Sequence, residues 1–119
     1  MNIVHTRFVL AVPDADVSAT FYIEKLGFKA DWREEGMWHQ VSRGACTLML
    51  ASCPDAIPPP DLGDHSYFGY FEVDDVDAFH AELKARGFDA PPPEDKPWGL
   101  REFAVHAPDG FRFTIGQPG

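Results

Sequence analysis

The side chains able to meet a bound molecule are spread along the whole 119-residue sequence. In the last hairpin, Phe111, Phe113 and Ile115 alternate with Arg112, Thr114 and Gly116, so one side of that strand is core and the other is free for function. The same alternation in other strands sets Phe8, Leu10 and Val12, Cys46, Leu48 and Leu50, and Tyr67, Phe71 and Val73 on a core side. It leaves His5, Arg7 and Val9, Thr47, Met49 and Ala51, and Phe68, Tyr70 and Glu72 on the other. That second set mixes aromatic, charged and hydroxyl groups, as a semi-polar pocket does. Arg7 and Arg112 either contact a ligand or pair with Glu72. Trp38 reads as a pocket wall, and Trp98, next to a glycine in a loop, as a lid or a packing anchor. Glu72, Glu102 and His5 are the residues able to move a proton if they share a pocket. His39, His65, His80 and His106 have no spacing that suggests a metal cluster. There is no Gly-rich phosphate loop, GxSxG elbow, HExxH or EF-hand loop.

The elements that must position these residues are read from hydropathy. Ile3 to Val12 reads as a strand and Asp14 as a helix cap. Val17, Phe21, Tyr22 and Leu26 have helical spacing, and Gly27 stops the helix. Strands follow at Phe28–Glu34, Met37–Ser42 and Cys46–Ala51. A Pro-rich segment, 53–64, reads as a stiff linker. The order then repeats: a strand at Tyr67–Val73, a cap at Asp74-Asp75, a helix from Val76 to Arg86, a short strand at Phe88–Ala90, a Pro-rich loop to Pro97, and the closing hairpin Arg101–His106 and Phe111–Gly116. The repeat is visible in the residues, since Asp16-Val17-Ser18-Ala19-Thr20-Phe21 answers Asp75-Val76-Asp77-Ala78-Phe79 and Leu26-Gly27-Phe28 answers Arg86-Gly87-Phe88. The expectation is α+β, with two tandem βαβββ modules, 1–52 and 65–119.

A net charge of −9 without a basic run argues against nucleic-acid binding and favours cationic partners at long range. No apolar stretch approaches a membrane span, and Met1–Val12 alternates where a secretion leader would have an apolar core. Two cysteines, Cys46 and Cys53, lack CxxC spacing and read as reduced thiols of a cytoplasmic protein. Cys46 falls on an apolar strand face and reads as buried and inert.

Val12-Pro13-Asp14 with Ser18, Phe21-Tyr22, Leu26-Gly27-Phe28, Val73-Asp74-Asp75-Val76, and Trp98 to Phe103 with Pro108-Asp109-Gly110 resemble the vicinal oxygen chelate superfamily. It contains glyoxalase I, extradiol dioxygenases, fosfomycin resistance enzymes and bleomycin resistance proteins. The resemblance covers essentially the whole chain. It implies a glyoxalase-like fold in which each curved sheet is a half-barrel lining a cavity. Metal-dependent members carry His, Gln or Glu at four strand positions, which fall here at Arg7, Met49, Phe68 and Thr114. None of these suits a divalent cation. The resemblance therefore points to the bleomycin resistance type: a binder without metal, cofactor or catalysis, sequestering an aromatic or cationic antibiotic-like compound. The alternatives are a metal-dependent lyase, isomerase or dioxygenase with displaced ligands that include His5 and Glu72, and a purely structural module. Two half-barrels in a short chain leave sheet edges to cover, so a homodimer is expected.

Overall fold

The computed structural model describes residues 1–56, 61 and 66–118. The chain divides into two compact units, Met1–Pro58 and Pro59–Gly119. Most of the linker's proline run and His65 lie outside the described residues.

In the first unit the order is β1 (Phe8–Val12), α1 (Ala15–Leu26), β2 (Lys29–Glu34), β3 (Trp38–Arg43) and β4 (Cys46–Ser52). The strands form one mixed sheet in the order β1-β4-β3-β2. β1 runs parallel to β4, and the helix makes the crossover. Asp14 caps α1 as expected, its carboxylate accepting from the amides of Asp16 and Val17. Gly27 ends the helix at φ 73, a left-handed conformation that glycine adopts without a Cβ penalty. Tyr22 and Leu26 of α1 are buried with Val12, Val41, Leu48 and Leu50 of the sheet. They form the apolar layer between helix and sheet.

The second unit repeats this plan with β5 (Tyr67–Glu72), α2 (Val76–Ala85), β6 (Glu94–Asp95), β7 (Leu100–His106) and β8 (Arg112–Pro118), in the sheet order β5-β8-β7-β6. Asp75 caps α2 through the Ala78 amide. Val76, Leu83, Phe103, Val105, Phe113 and Ile115 are buried. The repeat extends to one detail of the helix starts. The Ala15 amide donates to Ser52 Oγ at 2.9 Å, and the Val76 amide to Gln117 Oε1 at 2.8 Å. In both units the last strand thus holds the first amide of the helix, a donor that has no partner within the helix itself.

Three expectations are corrected. β1 begins at Phe8, because residues 1–7 make no sheet ladder and Ile3 and Val4 are almost wholly exposed. The short strand lies at Glu94–Asp95, not Phe88–Ala90. Pro91-Pro92-Pro93 offers no amide hydrogens, so pairing starts only past it, with Glu94 opposite Glu102 and Asp95 opposite Arg101. β5 carries an irregularity between Tyr67 and Gly69 that breaks the simple alternation.

Candidate functional site

The irregularity in β5 decides which residues share the face of the second sheet turned away from α2. Tyr67 lies opposite Arg112, Tyr70 opposite Thr114 and Glu72 opposite Gly116 on β8. On the far side of β8, His106, Ala104 and Glu102 of β7 pair with the same three positions. Tyr67, Tyr70, Glu72, Arg112, Thr114 and Glu102 therefore lie on one surface. Tyr67 was expected in the core and instead is more than half exposed. Phe68 is corrected the other way. Its ring centroid lies 5.8 Å from Phe71, 5.8 Å from Phe111 and 5.2 Å from Phe113, inside the aromatic cluster on the α2 side. The extra residue at the irregularity turns two neighbours to the sides opposite those that strict alternation assigns.

On this surface Arg112 donates to Ser66 Oγ at 3.0 Å, and its guanidinium carbon lies 4.0 Å from the centroid of the Tyr67 ring. At the other end of β8, the Tyr70 side chain reaches from the edge strand across the glycine at 116 to the Glu102 carboxylate, to which its hydroxyl donates. A Cβ at position 116 would lie 1.8 Å from the Tyr70 oxygen, so only glycine admits this crossing. Burial pushes the Tyr70 phenol up to about 12, with the Glu102 hydrogen bond and the charges of Glu102 and Glu72 acting in the same direction. The flank of the ring is exposed while its hydroxyl end is turned into the sheet. The second Glu102 oxygen, Oε2, is shielded from solvent and accepts no hydrogen bond.

In the first unit, register sets Trp38, Gln40, Met49 and Ala51 on one face, away from α1. Gln40 and Ser42 both donate to Asp31, at 3.2 and 3.0 Å. Burial raises the Asp31 carboxyl, but these bonds and the Lys29 ammonium outweigh it and hold the group below its ordinary value. His5 Nε2 lies 3.1 Å from Thr47 Oγ1, while Arg7 is exposed just before β1. Cys46 is half-buried, and burial pushes its thiol up to about 11, which leaves it a weak nucleophile. Trp98 is mostly exposed at the turn between β6 and β7, where the Lys96 amide donates to the Leu100 carbonyl at 2.8 Å.

Sequence reasoning passed over one further feature of this unit. On the helix side, a groove of ≈ 650 Å³ is lined by residues of α1, β2 and His39 of β3. Two of its lining residues are in contact, His39 Nε2 lying 2.5 Å from Asp16 Oδ1. These two residues stand far apart in the chain, and no local spacing announces them. The Tyr70–Glu102 pair was half legible: Glu102 stood out as an acid, but the glycine that lets Tyr70 reach it lies on a third strand.

The donor set does not fit a divalent cation. Arg7 is cationic, Met49 offers a soft thioether, Phe68 is packed among rings, and Thr114 offers only a neutral hydroxyl. Among the described residues, no group of three or more His, Cys, Asp or Glu side chains is gathered for a metal.

The sequence model of the Glyoxalase/Bleomycin resistance protein/Dioxygenase superfamily matches residues 2–115. No curated protein sequence matches the chain. Among solved structures, a bleomycin resistance determinant encoded on the transposon Tn5 superposes with a TM-score of 0.80 at 26% identity, covering 98% of both chains. TnmS3, an antibiotic binding protein from Streptomyces sp. CB03234, is 30% identical, with a TM-score of 0.74 over 100% of this chain and 99% of that one. The bleomycin-binding protein of bleomycin-producing Streptomyces verticillus, in complex with copper(II)-bleomycin, is 25% identical, with a TM-score of 0.77 over 100% of this chain and 98% of that one.

Proposed function

The chain belongs to the glyoxalase/bleomycin resistance protein/dioxygenase superfamily, and on that premise we propose that it binds an antibiotic-like small molecule and acts by sequestering it, without metal and without catalysis. One observation carries this reading. Solved proteins that bind bleomycin or another antibiotic match this chain end to end, at 25% and 30% identity. Fold alone would not support it, because one fold hosts many chemistries.

The residues on the sheet faces agree with a binder. Tyr70, Thr114, Arg112 and Glu72 in the second unit offer ring surface, a hydroxyl and both signs of charge. Trp38 and Met49 in the first unit offer an aromatic wall and an adaptable thioether. Such a mixture orients a large, partly polar ligand through a few fixed polar groups while apolar contacts supply area. With a net charge of −9, the protein attracts cationic compounds at long range.

The test is titration with bleomycin, metal-free and copper-loaded, followed by calorimetry and by tryptophan fluorescence. Saturable binding with a Kd in the micromolar range or tighter, of order −8 kcal/mol or more favourable, is the expected result. Absence of binding at that level would sink the bleomycin-type reading. Stoichiometric metal in the purified protein by elemental analysis, lost on His5→Ala, would replace it with a metal-dependent enzyme.

A further inference from the structure

We propose that Glu102 is the anchor for a cationic nitrogen of the bound molecule and that Tyr70 is the gate that covers it. The inference deepens the small-molecule-binding reading and rests on it.

Three observations converge. Glu102 Oε2 is shielded from solvent and accepts no hydrogen bond. A carboxylate accepts several hydrogen bonds, and leaving a buried acceptor unsatisfied costs stability. Its neighbour in the chain does not fill the gap, because Arg101 points to the other side of β7 and bonds Asp77 at 3.0 and 3.1 Å. The group that does reach Glu102 is neutral: the Tyr70 hydroxyl, lying over Gly116. A protonated amine or guanidinium makes a charge-assisted bond to a carboxylate, about twice as strong as a neutral one. A ligand cation therefore outcompetes the phenol.

The gate moves at little expense. Tyr70 stands on the edge strand of its sheet and is 44% exposed, so turning its ring away from position 116 empties no core. The electrostatics of the face also set a direction. Glu72 lies at the Glu102 end, opposite Gly116, and Arg112 lies at the other end of β8. Arg112 and Gly116 are four residue steps apart along β8, a span of about 13 Å. The ligand class this fits is an elongated molecule with a cationic nitrogen at one end, an aromatic or apolar body over Tyr70 and Thr114, and an acceptor or anionic group toward Arg112.

The probe is 2-phenylethylammonium, with 2-phenylethanol as its neutral counterpart, followed by amide chemical shifts of the full chain. The cation is expected to give saturable shifts at residues around Glu102 and Gly116 that the alcohol does not. Glu102→Gln is expected to weaken that binding about tenfold. Tyr70→Phe, which removes the competing hydroxyl, is expected to tighten it severalfold. Equal responses to cation and alcohol, no saturable shift, or unchanged affinity in Glu102→Gln would overturn the anchor. Unchanged or weaker affinity in Tyr70→Phe would overturn the gate, and this variant stands even where Glu102→Gln does not fold. If the cation binds and bleomycin does not, only the bleomycin reading falls. If bleomycin binds and the cation does not, only the anchor falls.

Discussion

Tyr70 keeps its phenolic proton to about pH 12, against an ordinary value of 10.0. Burial is the first cause, and the Glu102 hydrogen bond follows. The folded protein thus binds this proton more tightly than the unfolded chain. The stability it contributes is fully present below pH 10 and is lost as pH rises toward about 12. A phenolate absorbance titration, read as the difference between wild type and Tyr70→Phe, is expected to place Tyr70 near 12. In Glu102→Gln the value should fall without reaching 10, because burial remains. A titration indistinguishable from that of free tyrosine would show that the hydroxyl does not lie in the sheet. At this scale the sequence was only partly legible. Alternation placed Tyr70, Glu72, Arg112 and Thr114 on one side, as the register confirms. It misplaced Phe68 and Tyr67, since one irregular step in a strand reverses facing and leaves no mark in hydropathy. The partners of Arg112 were equally hidden: Ser66 and the Tyr67 ring come from the start of another strand.

The elements themselves were more legible, because their ends carry chemistry. Asp14, Gly27 and Asp75 sit where helix starts and stops require them. The strand after α2 was missed because ladder pairing depends on a partner, and two residues beyond a proline run show no period of their own. Each helix start is tied to the end of the last strand, through Ser52 in one unit and Gln117 in the other. Ser52→Ala and Gln117→Ala are each expected to lower unfolding stability by about 1 kcal/mol. Asp14→Ala is expected to cost a similar ~1 kcal/mol through the lost cap. Denaturant midpoints measure all three, and unchanged midpoints would show that these bonds exchange for water without loss. Because the bond spans the unit, Gln117→Ala should also speed amide exchange in the first turn of α2.

Over the whole chain, the internal repeat was the most legible feature. Two copies of cap, helix and Gly-Phe stop predict two similar units, and the two sheets indeed share one strand order. The ligand was the least legible, because the groups that would select it come from three strands and meet only after folding. Exposed apolar side chains, among them Ile3, Val4, Val9 and Trp98, remain on the single chain. We expect a second copy to cover such surface and the open strand edges. Light scattering after size exclusion at micromolar concentration should give twice the 13.3 kDa of one chain. A mass of 13.3 kDa would contradict the dimer.

The ring of Tyr70 occupying the space above Gly116 has an evolutionary consequence. Positions 70 and 116 do not drift independently. A side chain at 116 meets the Tyr70 oxygen at once, whereas loss of the ring at 70 leaves only the Glu102 Cβ, at 3.2 Å, to give way to a small side chain there. A descendant that keeps the tyrosine lying over a covered Glu102 must keep the glycine. One that gives up the tyrosine is released from the closest of these contacts. The pair is a hinge of divergence: losing the glycine first turns the ring outward and uncovers Glu102, whereas losing the tyrosine first removes the cover with the glycine still in place.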